Sequence, residues 1–315
     1  MNKNAGIKPA ELQSLPVIRD RMTFLYVQRC QINRHDGAIT VTDDKGIVHI
    51  PAATLSVLLL GPGTTVTHRA MELIGNCGVC VIWMGEGGIN YYAGGKSLTH
   101  RSKLQIKQAS LVSNQRTRLM IVKKMYSMRF SDEDIEDLTM QQLRGREGSR
   151  MRSIYKREAK KWNIPWNGRN YDHEKFEESD NVNKALSVGN ACLYGLAHAV
   201  IFALGCSTAL GFMHVGHDNS FVYDIADLYK TEIVIPLAFE VAMENHEDIP
   251  SFMRRAMREK MVSTHLLERM VKDLLWLFED DGEEENISVE MLYLWDDKLG
   301  NISSGIQYSQ WEDDV

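Results

Sequence analysis

Residues 211–230, GFMHVGHDNSFVYDIADLYK, place five side chains that can bind metal among apolar residues: His214, His217, Asp218, Asp224 and Asp227. Asp224 and Asp227 are three residues apart, so their carboxylates share one face of a helix. His214, ten residues before Asp224, can fold back onto the start of that helix. An imidazole nitrogen with carboxylate oxygens is a ligand set for Mn²⁺ or Mg²⁺. A set of satisfied polar residues, with Asp224 as an N-terminal helix residue, explains this segment equally well.

Glu147 adds a carboxylate from a distant segment, Arg144-Gly-Arg-Glu-Gly-Ser-Arg150. The glycines and the serine allow the backbone and a ligand to approach closely. Neighbouring arginines favour the ionised carboxylate, which is the form that a metal binds, and they also suit phosphate oxygens. The alternative is a surface glutamate paired with its neighbours. Together with residues 211–230, Glu147 favours the metal site.

Positive charge is concentrated in residues 101–161, which carry sixteen Lys and Arg against seven acids. The net charge of -6 hides this stripe, because residues 279–315 hold twelve acids and one lysine. Residues 1–278 therefore carry +5. A basic stripe indicates a polyanionic partner such as nucleic acid, although solvated faces of long helices explain such a run equally well.

The elements that must position these groups change in type along the chain. Short apolar or alternating runs predict strands at 22–28, 38–43, 47–51, 55–61 and 79–85, with a turn at 34–37. Residues 67–75 predict one helix with Thr67 as its N-cap. Helical spacing predicts helices at 102–130, 138–162, 180–205, 224–230, 233–246 and 251–278. We therefore expect a small β domain and then a larger helical domain, with the boundary near 95–101.

Other features indicate a reduced, cytoplasmic protein. The first residues have no apolar core or cleavage site typical of a secretory signal. The apolar run 191–206 is too short to span a membrane and predicts a buried helix. Cys77-Gly-Val-Cys80 has no second pair with which to form a four-thiolate zinc site, so we expect buried cysteines at the start of a strand.

Four sequence blocks resemble the CRISPR-associated spacer integrase, the first of the CRISPR adaptation proteins, in its subtype I-E form. The blocks are QLRGREGSR (142–150), WNGRNYD (166–172), CLYG (192–195) and residues 211–230. The resemblance covers about residues 15–278. Several blocks in one order are far more specific than any single motif.

The resemblance implies an α+β fold in which a small N-terminal β-sandwich precedes a larger all-helical catalytic domain. Residues 1–97 would form the β-rich domain, used for dimerisation and DNA-end contact. Residues 98–278 would form the catalytic and DNA-binding domain. Residues 279–315 would be an acidic hinge and tail that could bind a partner.

The implied activity is that of a DNA endonuclease and integrase that uses Mg²⁺ or Mn²⁺. Glu147, His214 and Asp227 would be the metal ligands, with Asp224 as an accompanying catalytic carboxylate. The implied partners are double-stranded DNA, as protospacer and CRISPR repeat, a second copy of the chain in a homodimer, and the small second CRISPR adaptation protein. We expect no membrane partner.

Further positions correspond to DNA contacts of the family. The candidates are Arg144, Arg150, Tyr171, Phe176, Tyr194, His217, Tyr223 and Lys230, with Tyr26 or Arg29 at the DNA end. Phe176 replaces a Trp and His217 replaces a Lys of the pocket that recognises the protospacer-adjacent trinucleotide. This chain is therefore not assigned the same trinucleotide preference.

Two other hypotheses remain open at this point. The chain could be a non-catalytic DNA-binding scaffold whose polar cluster only caps a helix, or a general metal-dependent nuclease of branched DNA. A divalent-metal titration separates the scaffold from an enzyme. Strand joining into repeat DNA separates the nuclease from an integrase.

Overall fold

The computed structural model describes residues 21–95, 102–130, 135–169, 179–244, 246–279 and 288–293. The strands are β1 (Arg21–Val27), β2 (Gln31–His35), β3 (Ala38–Asp43), β4 (Gly46–Pro51), β5 (Val57–Leu60), β6 (Thr65–Val66), β7 (Cys80–Met84), β8 (Tyr91–Gly95) and β9 (Ser288–Tyr293). The helices are α1 (His68–Asn76), α2 (Lys103–Ser113), α3 (Gln115–Arg129), α4 (Met140–Trp162), α5 (Asn181–Ala203), α6 (Ser220–Tyr229), α7 (Ile235–Met243), α8 (Ile249–Ser263) and α9 (Leu266–Phe278). The expected order, strands before helices, is confirmed.

Two sheets form the strand-rich part of the chain. One has the order β8-β7-β5-β1-β9, and the other has the order β4-β3-β2-β6. In the first sheet β5 pairs in parallel with β1 and with β7. All four residues of β5, VLLL, are buried, as expected for a strand covered on both faces.

One apolar core joins the two sheets and α1. It contains Leu25 of β1, Ile32 of β2, Leu58 of β5 and Leu73 of α1. The predicted N-cap is confirmed, because the Thr67 side chain accepts a hydrogen bond from the backbone N–H of Ala70. Side chains from both sheets therefore meet in one interior, as the β-sandwich prediction requires.

Some predicted elements differ from those in the structure. Residues 31–35 are a strand, so the turn predicted at 34–37 is confined to the end of that segment. The helix predicted at 102–130 is divided at Asn114, which has extended backbone and accepts a hydrogen bond from the N–H of Arg116. The helix predicted at 251–278 is divided at His265, whose left-handed backbone (φ 48°) ends one helix and starts the next.

The described residues form two compact units. One holds 21–83, 94–95 and 288–293, and the other holds 84–93 and the remaining residues up to 279. Within the acidic tail, β9 pairs in parallel with β1, from Arg21 opposite Ser288 to Tyr26 opposite Tyr293. The rest of the tail after Glu279 lies outside the described residues.

Helix α5 is the central element of the helical unit and contacts α6, α7, α8 and α9. By length and composition it could cross a membrane, but 61% of its most apolar window is buried inside the fold. It therefore serves as a core helix. The segment after it, residues 204–219, leads directly to α6.

Candidate functional site

A buried carboxylate organises the loop between α5 and α6. Asp224 accepts backbone N–H bonds from Phe212, from Met213 (3.0 Å) and from His214 (2.9 Å), and its side chain is 0% exposed. Helix α6 begins at Ser220, so Asp224 lies in its second turn rather than at its N-terminus. The alternative role of Asp224 as an N-terminal helix residue is therefore wrong. The carboxylate instead fixes the loop that precedes the helix.

The same carboxylate fixes the ring of His214. Nδ1 of His214 lies 2.8 Å from Oδ1 of Asp224. An ionised carboxylate only accepts hydrogen bonds, so Nδ1 carries the proton and Nε2 of the neutral ring keeps its lone pair. The hydrogen bond with Asp224 raises the pKa of His214 against the opposing effect of burial. His214 is thus held in the tautomer that can bind a metal through Nε2.

Three side chains from the basic segment hold carbonyl groups of the same loop. The buried Gln108 donates to the carbonyls of Ser207 (2.9 Å) and Leu210 (3.0 Å). Arg118 donates to the carbonyl of Phe212 at 2.8 Å, and Arg144 donates to that of Met213 at 2.7 Å. Gln108 and Arg118 lie outside the motifs of the sequence and were not predicted as site residues. Part of the basic segment therefore serves the loop directly.

Asp227 lies one helical turn after Asp224 and belongs to a charged chain of contacts. Its Oδ1 is 2.6 Å from Nζ of Lys230, and the same ammonium donates to the hydroxyl of Tyr194 at 2.7 Å. Burial would lower the pKa of Lys230, but the charge of Asp227 and the contact with Tyr194 raise it overall. Oδ1 of Asp227 is thus a buried oxygen held by the ion pair with Lys230.

Glu147 projects from α4 and is paired with Arg129, the last residue of α3. Nη1 of Arg129 donates to Oε1 of Glu147, and the two side chains are 6% and 18% exposed. The partner is thus an arginine of another helix, 18 residues before Glu147 in the sequence. Arg129 was missed because nothing in its sequence neighbourhood marks it among the sixteen basic residues of the segment.

A pocket brings several of these groups together. It is lined by Val122, Met125, Tyr126, Arg129, Met213, His214, Asp224, Asp227 and Leu228. His214 and Asp227 therefore share one space, and Glu147 adjoins it through Arg129. Over the described ranges, no three His, Cys, Asp or Glu side chains are grouped closely enough to hold a metal ion. Two of the three predicted ligands, His214 and Asp227, therefore line one pocket. The third, Glu147, contacts Arg129, which also lines it.

The chemistry of these donors fits Mg²⁺ or Mn²⁺. His214 offers a ring nitrogen in a fixed tautomer, and Asp227 offers a buried carboxylate that is paired with the Lys230 ammonium. Glu147 offers a second carboxylate, which accepts a hydrogen bond from the Arg129 guanidinium. One nitrogen and two carboxylate oxygens suit either ion, with water or phosphate oxygens completing the coordination.

Three of the predicted DNA contacts form an aromatic group beside the pocket. The Tyr223 ring is 5.1 Å from that of Tyr194 and 5.3 Å from that of His217. His217 is exposed, and its Nδ1 accepts a hydrogen bond from the N–H of Asn219. Such a group has the stacking surfaces that DNA bases use, and the DNA contact of these residues stays a prediction.

The other predicted contacts are placed as follows. The Arg150 guanidinium lies 4.9 Å from the centre of the Phe130 ring. In the strand-rich unit Tyr26 is buried and donates to Gln28 at 2.8 Å, whereas Arg29 is exposed at φ 51°. Of the two positions proposed for the DNA end, Arg29 is thus the accessible one. Tyr171 and Phe176 lie outside the described residues.

Comparison with known proteins gives consistent results. The sequence matches the family described as CRISPR associated protein Cas1 over residues 24–135 and 131–275. It is 51% identical over 302 residues to the CRISPR-associated endonuclease Cas1 of Clostridium sp. (strain SY8519), covering 95% of this chain and 100% of that protein. It is 38% identical over 255 residues to the CRISPR-associated endonuclease Cas1 of Escherichia coli (strain K12), covering 81% of this chain and 84% of that protein. The fold matches the crystal structure of a TtCas1–DNA complex with a TM-score of 0.79 and 44% identity, over 84% of this chain and 99% of that chain.

Proposed function

The chain belongs to the CRISPR-associated Cas1 family, and we propose on this basis that it is a divalent-metal-dependent DNA endonuclease and integrase of CRISPR adaptation. Its relatives are named endonucleases, and a relative of the same fold has been solved with DNA. Its substrates would be a short double-stranded protospacer and the CRISPR repeat. The observation that carries the proposal is the placement of His214, fixed by Asp224, with Asp227 in one pocket beside Glu147.

The reaction is a transesterification. The 3′-hydroxyl oxygen of the protospacer forms a bond to a phosphorus of the repeat, and the bond from that phosphorus to the repeat 3′-oxygen breaks. The hydroxyl proton passes to the released oxygen through solvent. One phosphodiester is lost for each one formed, so the step needs no oxidant and no nucleotide cofactor.

The side chains of this protein would divide the work between holding and positioning. Glu147, His214 and Asp227 would hold Mg²⁺ or Mn²⁺. When bound, such an ion supplies Lewis-acid polarisation of a phosphoryl oxygen. Asp224 would keep the His214 ring oriented, and the basic segment 101–161 would position the DNA backbones by contacts with phosphate groups.

We also propose a homodimer, an assembly with the small second CRISPR adaptation protein and a cytoplasmic location. Sedimentation of the purified chain, alone and with that partner, tests the assembly. A strictly monomeric chain at all concentrations would contradict the dimer.

Strand joining tests the activity. A short duplex is incubated with a plasmid carrying the repeat, in Mg²⁺ or Mn²⁺ and with or without a chelator. The wild type should join the duplex only without chelator, and Asp227→Ala should bind DNA but join none. Asp218→Ala, which removes an exposed acid from the preceding loop, is the matched control and should retain joining.

The same assay separates the two other functions. If the wild type binds DNA but shows no metal-dependent joining or cleavage, the chain is a scaffold. Metal-dependent cleavage of branched DNA without joining into the repeat would indicate a general nuclease. Joining by a correctly folded Asp227→Ala protein would refute the assigned metal set.

A further inference from the structure

We propose that Arg129 is a built-in counter-ion that competes with the divalent cation for the carboxylate of Glu147. This inference depends on the proposed function, because it concerns how the same metal set is assembled. We propose that the guanidinium of Arg129 holds Glu147 until the cation binds Glu147 and a DNA phosphate binds Arg129. Arg129 then acts as a positioning residue rather than a catalytic one.

The contacts of Arg129 are unusual for a buried guanidinium. Its side chain is 6% exposed, and Nη1 donates to Oε1 of Glu147. Nη2 lies 3.6 Å from Sδ of Met151, which is a weak acceptor, and the guanidinium lies 5.0 Å from the centre of the Phe130 ring. Within the described residues, Nε is buried and has no hydrogen-bond partner. Glu147 is therefore the main strong acceptor that holds the charge in place.

The position of Arg129 places this charge beside the other two ligands. The residue lines the same pocket as His214 and Asp227. A cation bound to all three ligands would share the Glu147 carboxylate with a guanidinium, whose charge would repel it. Binding of the metal to the complete set is therefore favoured when Arg129 moves away from Glu147.

The incomplete satisfaction of Arg129 argues against a purely structural ion pair. Buried pairs are favourable when their remaining hydrogen-bonding groups are satisfied, and this pair leaves Nε without a partner among the described residues. A phosphate offers the planar guanidinium two parallel hydrogen bonds and a full negative charge. DNA bound at the pocket is thus the natural acceptor for Arg129. By linkage, DNA and metal would then each strengthen the binding of the other.

Binding of Mn²⁺ without DNA, followed by the electron paramagnetic resonance signal of the free ion, tests the inference independently of activity. Arg129→Gln should bind Mn²⁺ about tenfold more tightly than the wild type, within the usual range of coupling between sites. Arg116→Gln removes an exposed arginine from the same helix and should stay within about twofold of the wild type. In the Glu147→Gln background, Arg129→Gln should have no further effect.

A second measurement covers the case in which Arg129→Gln fails to fold. In the wild type, the Nε–H resonance of Arg129, assigned by its loss in Arg129→Lys, should shift with Mg²⁺ occupancy, and it should not shift in Glu147→Gln. A resonance that does not shift would overturn the role of Arg129. Equal Mn²⁺ affinity of the wild type and Arg129→Gln would also overturn it, and the metal set itself would still stand if Glu147→Gln loses Mn²⁺ binding. If Glu147→Gln binds Mn²⁺ as tightly as the wild type, the proposed metal set fails, and the inference fails with it.

Discussion

Replacing Asp224 by asparagine removes one carboxylate oxygen from the base of the loop before α6 with little change in side-chain volume. One oxygen of Asp224 accepts from the N–H groups of Phe212 and Met213, and the other accepts from N–H and Nδ1 of His214. An asparagine keeps one acceptor oxygen and has an NH₂ group in place of the other, so this group faces two of the four donors and cannot accept from them. Two hydrogen bonds to a charged acceptor are lost, each contributing roughly 1.5–3 kcal/mol. Because part of the loop can turn to water, we expect a loss of about 3 kcal/mol in the free energy of unfolding.

Urea unfolding at pH 7 measures this loss, with Asp218→Asn as the control because Asp218 is an exposed acid of the same loop. The control should unfold within about 0.5 kcal/mol of the wild type. A wild-type midpoint for Asp224→Asn would refute the idea that this carboxylate holds the loop. The slope of the transition should not change, because the surface exposed on unfolding is the same.

The same substitution should lower the pKa of His214, because the hydrogen bond that its Nδ1–H donates to Asp224 is the main cause of the raised pKa. A raised histidine pKa stabilises the fold fully below the unfolded value of about 6.5, and this contribution is lost as pH rises through the folded pKa. The stability gap between wild type and Asp224→Asn should therefore narrow from pH 6 towards alkaline pH. An NMR titration of the His214 ring checks the pKa directly, and an unchanged value would contradict the assigned pairing.

Three further predictions concern stability and reactivity. Arg269 donates two hydrogen bonds to Glu232 and lowers its pKa, so the pair stabilises above the unfolded value and loses its effect as pH falls through the folded value. Because the pair is half exposed, Glu232→Gln should lower the free energy of unfolding in urea by less than about 1 kcal/mol at pH 7. Near pH 3 the substitution should have no effect. A difference from the wild type that stays constant between these pH values would contradict this. Burial raises the pKa of Cys192 to about 12, so iodoacetamide at pH 8 should leave this thiol unmodified in the native protein. Mass spectrometry measures the modification, and rapid labelling would be inconsistent with burial. A Cβ at Gly211 would overlap neighbouring backbone, so Gly211→Ala should lower the free energy of unfolding in urea by about 1–3 kcal/mol. Gly145 has open space around its Cβ position, so Gly145→Ala should not destabilise the protein. Equal stability of the two variants would contradict this packing.

The sequence predicts the type of most elements because their signals are local. The threonine before α1 caps it as expected, and the apolar run of β5 is a buried strand. The divisions at Asn114 and His265 were missed because helical spacing of apolar residues continues across both. Strand β9 was missed because its partner β1 lies more than 250 residues away, and a parallel pairing at that distance leaves no local pattern.

The site is predictable in its residue types but not in its contacts. The His and Asp residues of 211–230 stand together in the sequence, and His214 and Asp227 do share a pocket. The role of Asp224 depends on three N–H groups that converge only in the folded loop, so the sequence could not separate it from a helix cap. The pairing of Glu147 with Arg129 depends on how α3 and α4 pack, which neither segment encodes alone.

Anomalous diffraction from crystals grown with Mn²⁺ and a short DNA duplex tests the proposed metal set most directly. We predict a single strong manganese peak in the pocket, bound directly by a Glu147 oxygen, an Asp227 oxygen and Nε2 of His214. We also predict that Arg129 has left Glu147 for a phosphate. A manganese ion bound elsewhere, with Glu147 still paired to Arg129, would contradict both predictions.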